Sequence, residues 1–338
     1  MIPAVLALSA LLAASAASAD TFLPQGSADT TLHLDATYQK VGEIAGLNDV
    51  HGMAGAPRRG LLIAGSLSVQ APAQIERPAV VSEDEHAAHH GGDPEAAAAE
   101  VGLVTIVDAN SHSVVRRIEV PGMVHHVAVS TDERWALVTH PGLDSVSLID
   151  LDAMRLSATL FTGPIPEYAV ADPVTGRFFV SNTGNATISE LDPASATVLR
   201  AFRTVGGPKH MRLLPEARQL VIAATGPSLV AVLDADTGAT LESYEIGGDL
   251  HGIDADADTI FTSARGLNKV VRIDRRSGAR SEAEIGPAPY HMALAGSDLL
   301  VTSSAVPVLW VLDPGTLALK RAIETADTVH QLVTTRLQ

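Results

Sequence analysis

Histidines recur in this sequence at a spacing that could do chemistry. His51, His126, His210, His251, His291 and His330 occupy equivalent positions in a series of similar segments, and Tyr168 fills the one slot without histidine. After a first gap of 75 residues the intervals are 42, 42, 41, 40 and 39. One segment doubles the residue as His125-His126, and Glu167 precedes the tyrosine. Imidazoles converging from separate segments, with a carboxylate among them, form the ligand set of borderline divalent metals; zinc fits it, and the same donors accept copper and nickel. The competing account of each single histidine is a hydrogen-bonded residue packed at a strand end. Duplication of one ancestral unit would copy such a residue without giving it a role. A ring of uncoordinated imidazoles in a narrow funnel would nevertheless carry a desolvation and repulsion cost if protonated, which favours a working ring.

A second constellation is Ser82-Glu83-Asp84-Glu85-His86-Ala87-Ala88-His89-His90-Gly91-Gly92-Asp93. Three histidines within five residues, set in acidic and Ala/Gly-rich sequence, read as a weak and exchangeable metal-binding tract, so His86, His89 and His90 join the candidate ligands. The same composition also suits a solvated insertion with accidental histidines. His140, in the corresponding loop of the next segment, is expected on the same face.

The elements that must position these side chains are short strands. Each unit of about 40 residues opens with an apolar segment, passes a polar turn, and continues with an apolar strand, a Gly- or Asn-rich loop, a strand ending in Asp and an alternating strand. The Asp-ended strand appears as Val104 to Asp108, Val146 to Asp150, Ile188 to Asp192, Val230 to Asp234, Val270 to Asp274 and Leu309 to Asp313. Such runs of Val, Ile, Leu and Thr between turn residues are strands, and four per unit make a propeller blade. Seven openings predict an all-β, seven-bladed propeller whose last blade is closed by N-terminal strands, among them Thr31 to Leu34 and Tyr38 to Ile44. The innermost strand of a blade lines the axis, so the histidines should ring the mouth of the central channel. The long first gap predicts an insertion at about 70–101, between the second and third strands of its blade and on the ring's face.

Composition sets limits on partners. The 338 residues have no cysteine, which removes thiolate and disulfide chemistry and leaves metal ligation to nitrogen and oxygen. A net charge of −16 argues against nucleic acid and mildly favours cations. Residues 1–19 carry no charge and run through an apolar stretch to Ala17-Ser18-Ala19, the pattern of a cleaved secretory signal, although no Lys or Arg precedes Lys40. The expectation is a periplasmic protein made of a signal peptide at 1–19 and one propeller domain at 20–338, with no membrane insertion after cleavage.

The repeat resembles the bacterial propellers built from YVTN-type units, a resemblance that covers nearly all of the mature chain and is specific for fold rather than function. The inner histidines and the His-bearing insertion further resemble the periplasmic zinc metallochaperones that load the solute-binding protein of a zinc ABC importer. That resemblance implies an inner zinc site drawn from His125, His126, Glu167 and His210, with His251 and His291 farther round and His51 and His330 completing the ring. It also implies that His86, His89 and His90 help in acquisition. Two other classes stay open: a metal-assisted hydrolase of lactonase type, and a non-catalytic protein-binding propeller. Nitrous oxide reductases also place histidines in a propeller channel, but with a cysteine-containing electron-entry domain that this chain lacks. Haem-propeller nitrite reductases bring a Cys-x-x-Cys-His portion, also missing here. Neither a nucleophile elbow nor a phosphate-binding loop occurs.

Overall fold

The computed structural model describes residues 19–71 and 100–336, and these form seven four-stranded antiparallel sheets arranged as blades. The first blade comprises Val50–Ala56, Leu61–Gln70, Val101–Asp108 and Ser113–Pro121, counted outward from the axis. The second to sixth blades begin with Val127–Val129, Pro166–Ala171, Pro208–Leu214, Leu250–Ala255 and Pro289–Ala295. In the seventh, Val333–Thr335 is innermost and pairs with Asp20–Gln25, followed by Thr30–Leu34 and Lys40–Ala45. The expected seven-bladed propeller therefore forms, and N-terminal strands close it. Closure takes three of them, Asp20–Gln25 being the one the repeat pattern did not single out.

Burial along each blade explains the patterning. The second strands are sandwiched between neighbouring blades, so Trp135–His140 and Thr259–Ala264 are buried at every position. The outermost strands face solvent on one side, and Arg155–Phe161 and Thr197–Arg203 alternate between exposed and half-buried. Successive residues of one strand then serve opposite neighbours. Phe178 and Val180 pack with Leu137 and Leu148 of the second blade, whereas Phe179 packs with Leu220 and Ile222 of the fourth. Seven apolar clusters fill the seven blade junctions, the last joining Phe22 and Ile44 to Leu62 and Val107 across the closure.

The recurrent Asp at the end of the third strand has a local cause. Asp234 Oδ1 accepts the backbone N–H groups of Asp236 (3.0 Å) and Thr237 (2.7 Å), and Asp108 does the same for Asn110 (3.1 Å) and Ser111 (2.7 Å). These side-chain turns reverse the chain into the outermost strand, and the bonds they accept lower the carboxyl pKa of both residues. Among the described residues no helix is long and apolar enough to cross a membrane.

Because Phe179 fills a junction between two blades, truncating it should open a cavity that neither blade can close alone. Phe179→Ala is expected to lower unfolding free energy by about 3–5 kcal/mol, read as a lower urea midpoint with an unchanged denaturant slope. An unchanged midpoint would mean that the junctions do not hold the ring together.

Candidate metal centre

The axial histidines are aimed by irregularities in the innermost strands. Register shifts fall between Val50 and Gly52, Pro166 and Tyr168, Pro208 and Met211, Leu250 and Ile253, and Pro289 and Met292. These bulges contain or adjoin His51, Tyr168, His210, His251 and His291. A bulge breaks the inward-outward alternation of a strand and re-aims the side chain it carries. Hydroxyls of the second strands serve the backbone around the ring. Thr139 Oγ1 accepts from His126 N–H (3.0 Å), Ser181 Oγ from Tyr168 N–H (3.2 Å), Ser263 Oγ from Gly252 N–H (2.7 Å) and Thr302 Oγ1 from His291 N–H (3.1 Å). Ser181 Oγ and Ser263 Oγ then donate to the carbonyls of Lys209 (2.7 Å) and Tyr290 (2.6 Å) in the next blade. Each hydroxyl of this kind both steadies its own ring member and ties it to the neighbouring one.

Two glycines permit the close approach. A Cβ on Gly252 would lie 2.2 Å from the Tyr290 carbonyl oxygen, and one on Gly52 would lie 2.7 Å from that of His125. Side chains at these positions would push adjacent blades apart at the level of the ring.

The ring resolves into two groups of three. Ligand nitrogens of His51, His125 and His330 lie within 4.8 Å of one another, and so do those of His210, His251 and His291. In the first group the rings of His51 and His330 stack at 3.4 Å, and His125 lies 4.9 Å from His51 and 5.3 Å from His330. Glu167 is outside the 4.8 Å group but adjoins it, its Oε2 standing 3.6 Å from His125 Nε2. His125 Nδ1 lies 3.1 Å from the Glu167 carbonyl oxygen, which can only accept, so the proton of a neutral ring is on Nδ1. The lone pair on Nε2 then faces a carboxylate, an arrangement that a proton or a metal cation reconciles.

The second group is more deeply placed: His210 is 1% exposed, His251 2% and His291 4%. Its rings pack at 4.2 Å (His210–His251), 4.2 Å (His210–His291) and 5.3 Å (His251–His291). Among the described residues, His51 Nε2, His126 Nε2, His210 Nε2, His291 Nε2 and both nitrogens of His251 are buried without a hydrogen-bond partner. Buried polar atoms normally have partners, so several orphan imidazole nitrogens at one axis fit a bound cation. Burial, followed by the neighbouring imidazoles, pushes the His51 pKa down to about 3 and drives those of His126, His210, His251, His291 and His330 well below the ordinary histidine value. All six are therefore neutral near pH 7, which is the ligand form.

Several candidates have other places. His126 is in the ring, tilted against Tyr168 at 3.6 Å, but its Nδ1 accepts the Ala169 N–H (3.3 Å), so in the neutral ring its Nε2 carries the proton and no lone pair is left for a metal. It falls outside both groups. His140 is the last residue of a second strand rather than a loop residue, and it is fully buried. Its nitrogens pair with the Met123 carbonyl (2.8 Å) and Ser147 Oγ (2.8 Å), leaving nothing for a metal. His86, His89 and His90 lie outside the described residues. Their segment is flanked by Leu61–Gln70 and Val101–Asp108, the paired second and third strands of the first blade.

Pattern reasoning did not find Tyr290, whose ring stacks on His251 at 3.6 Å, nor the four hydroxyls, because Ser and Thr are common in strands. It also passed over His33, which touches His112 Nε2 through Nδ1 (2.9 Å) and Asp20 Oδ2 through Nε2 (3.1 Å). That group staples the first blade to the seventh. The axial groups divide the channel. A cavity of about 390 Å³ on one side reaches His51, His330, Tyr290, Asp49 and Asp327, and one of about 330 Å³ on the other reaches His126, Tyr168, Arg212 and Asp254.

Fold and site together define a seven-bladed β-propeller protein with a histidine-lined axis. The chain is 29% identical over 140 residues to the seven-bladed beta-propeller protein Rv1057 of Mycobacterium tuberculosis, a stretch that makes up 40% of this chain and 36% of that one. It therefore spans little more than a third of that relative's length. No protein-family model matches. Among solved structures, the chain is similar to a functionally unknown protein from Desulfotomaculum acetoxidans (TM-score 0.70, 13% identity, 95% of this chain and 100% of that one). It is also similar to the dihydro-heme d1 dehydrogenase NirN (TM-score 0.66, 14% identity, 90% and 63%) and to hydrazine synthase of Kuenenia stuttgartiensis (TM-score 0.65, 17% identity, 82% and 87%). At these identities the likeness concerns the fold alone.

Two expectations follow from the packing of neutral imidazoles. The unfolded chain takes up protons near pH 6.5 while these histidines resist protonation in the fold, so stability should fall as pH drops below about 6.5, the His51 contribution being lost down to about pH 3. The slope is about 1.4 kcal/mol per pH unit for each such histidine, and a metal-free melting temperature that stays flat between pH 7 and 5 would contradict it. Gly252→Ala should destabilise the fold and displace His291, seen as a lower melting temperature together with changed histidine ring resonances in NMR. Loss of neither would show that the blades have slack at the axis.

Proposed function

We propose that this protein is a metal carrier that holds one divalent transition-metal ion, zinc by the chemistry of the donors, on His51, His125 and His330 with Glu167. The observation that carries this reading is the pair of facing acceptors, His125 Nε2 and Glu167 Oε2, beside two more imidazoles whose nitrogens lie within 4.8 Å. Three neutral nitrogens and one carboxylate oxygen make the four-coordinate set that zinc prefers. The His125 proton donated to a backbone carbonyl fixes ring and tautomer, the usual support for a ligating histidine. His51 and His125 keep partial exposure, and the cavity beside His51 and His330 gives an acceptor protein's ligands room to replace these one at a time.

In this reading the protein works in the periplasm and passes zinc to the solute-binding protein of an ABC importer. The tract with His86, His89 and His90 would supply weak ligands during uptake, on the strength of its composition. The metal-assisted hydrolase is the second reading, because three histidines beside a cavity of about 390 Å³ are also a catalytic zinc set. The carrier reading is favoured by Glu167 beside His125, since a carboxylate acting as a fourth ligand would take the position that a metal-bound water needs.

Zinc titration against a chromophoric chelator tests the assignment. Wild-type protein should hold zinc tightly, and Glu167→Gln and His125→Ala should each weaken it by about 10–100-fold or more while leaving the melting temperature of the metal-free protein nearly unchanged. Affinity unaffected by both substitutions would remove the site. Zinc-loaded protein mixed with a metal-free periplasmic zinc-binding protein should transfer faster than it releases zinc to a chelator. Equal rates would leave a binder without a carrier's role.

A further inference from the structure

The outer group accounts for three histidines and leaves His210, His251 and His291 without a task, although all three are buried and contribute four of the partnerless nitrogens. The two groups touch. The His330 ring lies 4.5 Å from that of His291 and 5.8 Å from that of His251, so a cation on one triad stands directly beside the other.

Their surroundings differ in charge. Glu167 stands beside His125 of the outer triad, and Asp49 and Asp327 line the cavity that reaches His51 and His330. The inner triad's ligand set is three neutral imidazoles. Tyr290 stacks on His251 at 3.6 Å, and the Arg265 guanidinium lies over that tyrosine ring at 5.6 Å. Lys209 and Arg265 both act on His251, and Arg265 is itself paired with Asp249, so no unpaired carboxylate faces this triad among the contacts described. Asp254, in the cavity beyond, is already paired with Arg212 at 3.2 Å.

Coulomb energy scales with the product of the charges, so two doubly charged ions repel four times as strongly as two singly charged ions at the same spacing. A buried pocket screens this little. With one carboxylate, a single divalent ion or a pair of monovalent ions leaves a net charge of about +1 in the pocket, whereas two divalent ions leave about +3, and burial makes that excess costly.

We propose that the two triads are two stations for a single divalent ion, an outer station with Glu167 and an inner all-imidazole one, and that a divalent ion on either keeps the other from filling. This rests on the metal-carrier reading and adds an internal resting place to it. An ion on the inner triad is withdrawn from the outer cavity, and stepping back to His330 returns it to the side from which it can be handed on. Singly charged ions that accept imidazole nitrogen escape the exclusion and occupy both stations.

The discriminating experiment compares Zn(II) with Cu(I) on the full chain by native mass spectrometry and equilibrium titration, each metal held in a chelator buffer (bicinchoninate for Cu(I)) strong enough to keep the weak tract of His86, His89 and His90 empty. The absence of cysteine keeps the Cu(I) count free of thiolate binding. The wild type should saturate with one zinc and with two Cu(I). His51→Gln with His330→Gln, and separately His251→Gln with His291→Gln, should each retain one zinc and fall from two Cu(I) to one, while the variant carrying all four substitutions should lose both metals. Two zinc ions per wild-type chain, or Cu(I) saturating at one, would overturn the exclusion without any variant having to fold. Complete loss of zinc in the outer double variant, with its melting temperature preserved, would show that the inner triad is no station and leave the carrier reading standing. A wild-type chain that binds no zinc would defeat the carrier reading and this inference together.

Discussion

The structure turns on a local break in strand geometry. A regular innermost strand would direct alternate side chains to opposite faces of its blade, and packing between blades would absorb them. The bulges between Leu250 and Ile253 or Pro289 and Met292 release the strand from that alternation exactly where a histidine stands, so the imidazole turns toward the axis. Backbone groups freed by the bulge find partners in the second-strand hydroxyls, Ser263 Oγ for Gly252 and Thr302 Oγ1 for His291. Part of the local cost is met by neighbouring strands, and several ring nitrogens are left without partners.

That arrangement is tolerable because the rings stay neutral. A protonated imidazole among the others would face both burial and like charge, and the lowered pKa values of His210 and His291 express this cost. Orphan nitrogens in such a setting lose hydrogen bonds that water would supply to the unfolded chain, and the apolar junctions between blades must outweigh that loss. A cation removes the deficit by using the lone pairs directly. The same features that make the metal-free ring costly therefore make it a good ligand set, and binding would stabilise the fold.

Much of this was legible in the sequence, for a physical reason. Period and strand signals come from local patterning that every blade repeats, so the seven blades, the closure by N-terminal strands and the axial row from His51 to His330 could be read from spacing. Spacing does not report on lone pairs. His126 shares the repeat position yet spends its acceptor on the Ala169 N–H, and His140 is held by Met123 and Ser147, so both leave the ligand set through hydrogen bonds a repeat alignment cannot see. The division into two triads was likewise invisible, since it arises from the depth and rotation of each ring and from the extra His125 that precedes the repeat position. Glu167 was legible only as a neighbour of Tyr168, and its pairing with His125 crosses from one blade to the next.

The central claim is that imidazoles of different blades share one metal ion. X-ray absorption spectroscopy of the protein loaded with one equivalent of zinc tests it most directly. The account predicts a first shell of low-atomic-number donors near 2.0–2.1 Å with the multiple-scattering signature of about three imidazoles. A shell dominated by water and carboxylate oxygen, with scattering from at most one imidazole, would contradict it.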